Sequence, residues 1–95
     1  MSGGKYGNFW VNEYADIILG QLEDLENMIA DMKELNETQF VKHLENHLKI
    51  CKKGNTEEIE ANQEKIQDLL HAIEYWQCND WYDEIETIFE KYRGM

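Results

Sequence analysis

The chain has no proline, only two cysteines, and no glycine between residues 8 and 93 apart from Gly20 and Gly54. Without proline, no position forbids an intrahelical hydrogen bond, so long helices are allowed almost from end to end. Cys51 and Cys78 are too few and too far apart for a disulfide scaffold, which fits a reducing cytoplasm. No apolar run approaches the ~18 residues of a transmembrane helix, so no membrane association is expected. Residues 1–7 lack the hydrophobic core of a signal peptide and read as a short flexible lead-in.

What is present favours helix. Leu, Glu, Lys, Gln, Ala and Met, all good helix formers, supply much of the 95-residue chain. Residues 8–95 are expected to form one all-α domain, a compact antiparallel four-helix bundle of two hairpins with a long first helix. That helix spans about 8–35, with Val11, Tyr14, Ile18, Leu22, Leu25, Ile29 and Met32 as its apolar stripe. Trp10, Ile17 and Met28 widen the stripe on one flank, and the length predicts a projecting end suited to dimerisation.

Local signals mark the other boundaries. Asn36 with Gln39 reads as a capping box, and Leu35 with Phe40 as a hydrophobic staple, opening a helix over 36–53. Phe40, Val41, Leu44, Leu48 and Cys51 form its buried face, and Gly54 its left-handed end. Asn55 with Glu58 caps a third helix over 55–77, which carries Ile59, Ile66, Leu70, Ile73 and Gln77 inward. Asn62 or Gln63 is a polar interruption of that face. Asn79 or Asp80 caps a fourth helix over 79–93, with Trp81, Ile85, Ile88, Phe89 and Tyr92 on one face.

The net charge of −11 is unevenly spread. Residues 1–35 hold seven acids against two bases, and residues 55–95 hold eleven against three. Between them Lys42, Lys49, Lys52 and Lys53 outnumber Glu37 and Glu45. At about 100° per residue, Glu57, Glu64 and Asp68 lie opposite the apolar stripe of their helix. Asp83, Glu86 and Glu90 do the same on the last helix, and Asp16, Glu23, Asp31 and Glu34 on the first. Acids four residues apart on a helix rise ~6 Å, close to the spacing of phosphates along one nucleic-acid strand. So acidic a surface opposes direct nucleic-acid binding and suits a basic partner instead. Lys42, Lys49 and Lys53 form a narrow outward stripe fit for an anionic ligand such as a nucleotide, or for the acidic face of a second copy.

Signals of catalysis are sparse. His43, His47 and Cys51 follow one another at four-residue steps, a spacing that can serve zinc, and His71 and Cys78 could add to it. Cys51 and His43 nevertheless diverge by about 80° around the helix, which opposes convergence on one ion. Glu23 with Glu26 and Glu57 with Glu60 make two E-x-x-E pairs. The first resembles the pattern of the all-α MazG-type pyrophosphohydrolases, which implies a magnesium-dependent nucleotide hydrolase. That family's pattern ends in E-x-x-D, and Glu60 stands where its aspartate would. No nucleophile elbow and no glycine-rich phosphate loop occurs, and no cofactor is expected.

Tyr75, Trp76, Trp81 and Tyr82 bracket the last turn, with Tyr75 turned outward beside Asp80, Asp83 and Glu84. Aromatic residues of this kind anchor interfaces. The reading is a small acidic non-enzymatic binding module, with homodimerisation open to it, that occupies the basic, nucleic-acid-binding surface of a partner enzyme. Nuclease immunity proteins and phage-encoded antagonists of CRISPR or restriction systems are similar in size and charge. The partner-binding residues expected are Glu57, Glu64, Asp68, Tyr75, Asp80, Asp83, Glu86 and Glu90. An oligomeric anion-binding module and a metal-dependent hydrolase are the alternatives.

Overall fold

The computed structural model describes residues 5–78 and 83–95. The chain is all-α: among the described residues a 3-10 turn at Phe9–Val11 precedes α1 (Ala15–Leu19), α2 (Leu22–Glu34), α3 (Thr38–Lys53), α4 (Thr56–Lys65), α5 (Gln67–Gln77) and α6 (Asp83–Arg93). The expected four rods are therefore six α-helices, because the first and third are broken. Asn12 and Tyr14 adopt extended backbone, which turns the chain before α1. A second break falls at Gly20 and Gln21. The third helix bends at Ile66, although Ile66 N–H still donates to Asn62 C=O and Leu70 N–H to Ile66 C=O.

These breaks reverse several expectations. No long first helix projects; its amino-terminal part folds back onto α5. Val11 and Tyr14, expected inward, are exposed, because the helical phase that placed them there is interrupted. Ile17 is exposed as well, whereas Ile18, Leu25, Met28, Ile29 and Met32 are core. Tyr6, read as part of a flexible lead-in, is buried, and its hydroxyl donates to Asp31 at 2.7 Å.

The boundary before α3 also differs. Asn36 does not cap α3; it ends α2 in the left-handed conformation, with φ 61°. Asn36 N–H donates to Lys33 C=O and Glu37 N–H to Met32 C=O, the paired bonds of a Schellman close. Leu35 is consequently exposed rather than stapled to Phe40. The next boundary follows the expectation: Gly54 is left-handed at φ 79°, and the Asn55 side chain accepts from Glu58 N–H at 3.0 Å.

The core joins all the helices. Phe40 and Phe89 meet with ring centroids 4.8 Å apart, locking α3 to α6, and each buried ring of this size contributes about 1.5–3 kcal/mol. Arg93 closes the same contact from outside, pairing both its Nε and Nη2 with the Glu37 carboxylate. Trp76 packs edge-on to Phe89. Trp81 and the Asn79 or Asp80 cap lie outside the described residues.

The amino-terminal segment is held mainly by side chains of α4 and α5 that reach its backbone. Glu60 accepts from Ala15 N–H at 2.9 Å, capping α1 from another helix. Gln63 donates to Phe9 C=O and Gln67 to Trp10 C=O. Glu74, fully buried, accepts from the N–H groups of Tyr6 and Phe9. Residues 60, 63, 67 and 74 share one side of the α4–α5 rod, so a polar ladder runs beside its apolar stripe.

Candidate protein-binding surface

A concavity of about 560 Å³ lies between residues 12–14 and α4. Its walls include Glu13, Tyr14, Glu57, Glu60 and Glu64. Glu57, Glu60 and Glu64 follow at three and four residues, so they form one row ~10.5 Å long. The row exists because α4 buries Ile59 on its opposite side. Glu57 and Glu64 are exposed, whereas Glu60 is half-buried and committed to Ala15. Tyr14 stands at the rim 63% exposed, followed along the chain by Ile17 at 45%. The surface thus offers concentrated negative charge beside exposed apolar side chains.

The sequence-expected acids separate into different settings. Asp68 is drawn into the fold: its Oδ1 accepts from Tyr92 Oη at 2.6 Å and from Leu69 N–H, and Lys91 pairs with its Oδ2 at 3.4 Å. Asp83, Glu86 and Glu90 are exposed along α6. Asp80 lies outside the described residues. Tyr75 is not turned outward: half-buried, it packs 4.3 Å from His71, which in turn stacks on Trp10 at 3.9 Å. Glu13 and Glu60 wall the same concavity but are not among the expected partner-binding residues. Glu60 was readable from its spacing to Glu57 and Glu64, but Glu13 was not, because an unbroken first helix puts its neighbour Tyr14 in the core.

The zinc-like triplet serves the core. His47 is fully buried; its Nδ1 faces Asn62 Nδ2 at 2.8 Å and its Nε2 faces Gln63 Oε1 at 2.6 Å. Assigned as the neutral Nε2–H tautomer, it accepts from Asn62 and donates to Gln63, so both ring nitrogens are used. Burial lowers its pKa despite the Gln63 bond. Burial also pushes the Cys51 thiol up to about 11, so it stays protonated at neutral pH. His43 meets Tyr92 edge-on. Among the described residues no group of three or more His, Cys, Asp or Glu side chains is arranged to hold a metal. Glu23 and Glu26, the first E-x-x-E pair, are exposed on α2.

The lysine stripe is also redrawn. Lys42 and Lys49 line a second cleft, joined by Lys65 from α4, whereas Lys53 is exposed beyond its lining. Among the described residues no helix is long and apolar enough to cross a membrane. The chain matches no protein-family model, no curated protein and no solved structure.

Proposed function

We propose that the protein is an acidic binding module that occupies a basic surface of a partner, in its most economical form the nucleic-acid-binding site of an enzyme. The observation that carries this reading is the groove beside α4, where Glu13, Glu57, Glu60 and Glu64 adjoin exposed Tyr14. A rigid helix presents the carboxylates at fixed spacing, so little ordering is needed when a cationic cleft meets them. Tyr14 and Ile17 add apolar area of the sort that anchors interfaces, which a surface selected for dispersal alone does not need. The exposed acids of α6 supply long-range attraction without being part of the groove.

The test is affinity capture on the immobilised protein from cells of its natural host. A nucleic-acid-binding protein retained at moderate salt and displaced by heparin supports the reading. Retention indifferent to heparin, or no nucleic-acid-binding protein retained, overturns it.

A further inference from the structure

The cleft opposite in sign to the acidic groove has an unusual local balance. It measures about 470 Å³ and is walled by Lys42, His43, Asn46 and Lys49 of α3 and Lys65 of α4, with Glu45 as the one acid. Asn62 and Gln63 meet His47 across the α3–α4 hairpin, so the end of α4 reaches the beginning of α3 and Lys65 joins the α3 lysines.

Glu45 in its wall and Asp68, three residues beyond Lys65, are engaged elsewhere. Glu45 pairs with Lys33 at 3.0 Å, and Asp68 with Lys91 and Tyr92. None of Lys42, Lys49 and Lys65 forms an ion pair among the described residues. In a chain with twenty acids and nine lysines and arginines, three uncompensated lysines around one hollow call for an anion. At its wall, His43 Nε2 is buried without a hydrogen-bond partner.

We propose that this cleft binds a small phosphate-bearing polyanion, of the diphosphate class. Three ammonium groups match an anion of two or more charges, and Asn46 adds an amide donor. The cleft is lined by lysines and no arginine, and lysine binds phosphate oxygens as a compact point charge without the fixed fork of a guanidinium. The hollow falls within the ordinary range for small-ligand sites, roughly 300–1,000 Å³. It has no tyrosine, tryptophan or phenylalanine to stack on a base, so the phosphates are what it reads. The site is independent of the acidic groove, which is walled by different residues.

The experiment is a titration of the full chain with inorganic pyrophosphate, ADP and sulfate at matched ionic strength, followed by amide NMR and thermal melting. Pyrophosphate is expected to raise the melting temperature saturably, to move the amides of Lys42, His43, Asn46, Lys49 and Lys65, and to raise the pKa of His43. ADP acting like pyrophosphate assigns the site to a nucleotide diphosphate, and pyrophosphate acting alone assigns it to the free anion. The paired substitutions Lys49→Ala and Lys65→Ala are expected to weaken binding by about tenfold or more, because each removes one charge-assisted bond. The pair Glu23→Gln and Glu26→Gln, exposed on α2, is the control and is expected to retain binding. Equal effects of sulfate and pyrophosphate, absence of local shifts at millimolar pyrophosphate, or unchanged binding in the lysine variant each overturn the proposal.

Discussion

Gln63 holds two distant parts of the fold at once: its Oε1 accepts from His47 Nε2 at 2.6 Å while its Nε2 donates to Phe9 C=O at 2.9 Å. Replacing Gln63 by Leu leaves a buried imidazole N–H and a backbone carbonyl unpaired together. The expected cost is about 2–4 kcal/mol, read as a lower urea midpoint with an unchanged slope. The same bond fixes the imidazole tautomer, so nitrogen NMR should find Nε2 protonated and Nδ1 bare. A ring charged at the ordinary histidine pKa would contradict the assignment.

Glu74 gives a pH signature. Burial raises its carboxyl above the ordinary range, and the N–H groups of Tyr6, Phe9 and Asn8 oppose that rise only in part. A folded-state value above the unfolded one means the native state holds the proton better. Its contribution is then complete below the unfolded value, about 4.3, and is lost as pH climbs through the raised value. The stability of the native protein minus that of Glu74→Gln should therefore fall as pH rises above the ordinary carboxylate value. A difference that grows with pH would overturn this account of Glu74.

Asp68 and Glu64 look alike in sequence and should behave differently. Tyr92→Phe removes the 2.6 Å bond to Asp68 and is expected to cost about 1–2 kcal/mol. Asp68→Lys should destabilise at least as much, placing a cation beside Lys91. Glu64→Lys, at an exposed position, should stay within about 0.5 kcal/mol of the native protein. Thermal melts of the three variants check the order.

Asn36 tests the close of α2. At φ 61° it occupies a conformation that costs most side chains about 1–2 kcal/mol. Asn36→Gly should match or exceed native stability, and Asn36→Ala should lower it by about 1 kcal/mol. Equal stability of the two variants would mean that the turn is not left-handed in solution.

What was legible in the sequence is what neighbouring residues decide between themselves. Gly54 and Asn55 end one helix and start the next through bonds spanning a few positions, and periodicity found Ile59, Leu70, Ile85 and Phe89 in the core. The breaks at residues 12–14 and at Ile66 carry no proline or glycine, because their determinants lie far along the chain. Glu60, Gln63, Gln67 and Glu74 reach across to residues 6–15 and satisfy backbone groups that a continuous helix would have used itself. Gln63 looked like an interruption of an apolar face; with its neighbours at 60, 67 and 74 it is a second, polar stripe. Asn36 was ambiguous for a chemical reason, since asparagine suits both a helix start and a left-handed helix end. The acidic groove was half visible: the α4 row follows from spacing, but its far wall exists only because the first helix is broken.

The groove beside α4 is the center of the functional account, and the exposed acids of α6 offer a direct comparison. The measurement is capture of the host partner by three proteins of equal thermal stability: native, Glu57→Lys with Glu64→Lys, and Glu86→Lys with Glu90→Lys. The account predicts that reversal on α4 abolishes retention, while reversal on α6 weakens it modestly and in a salt-dependent way. Retention that survives the α4 reversal, or that is abolished only by the α6 reversal, would contradict it.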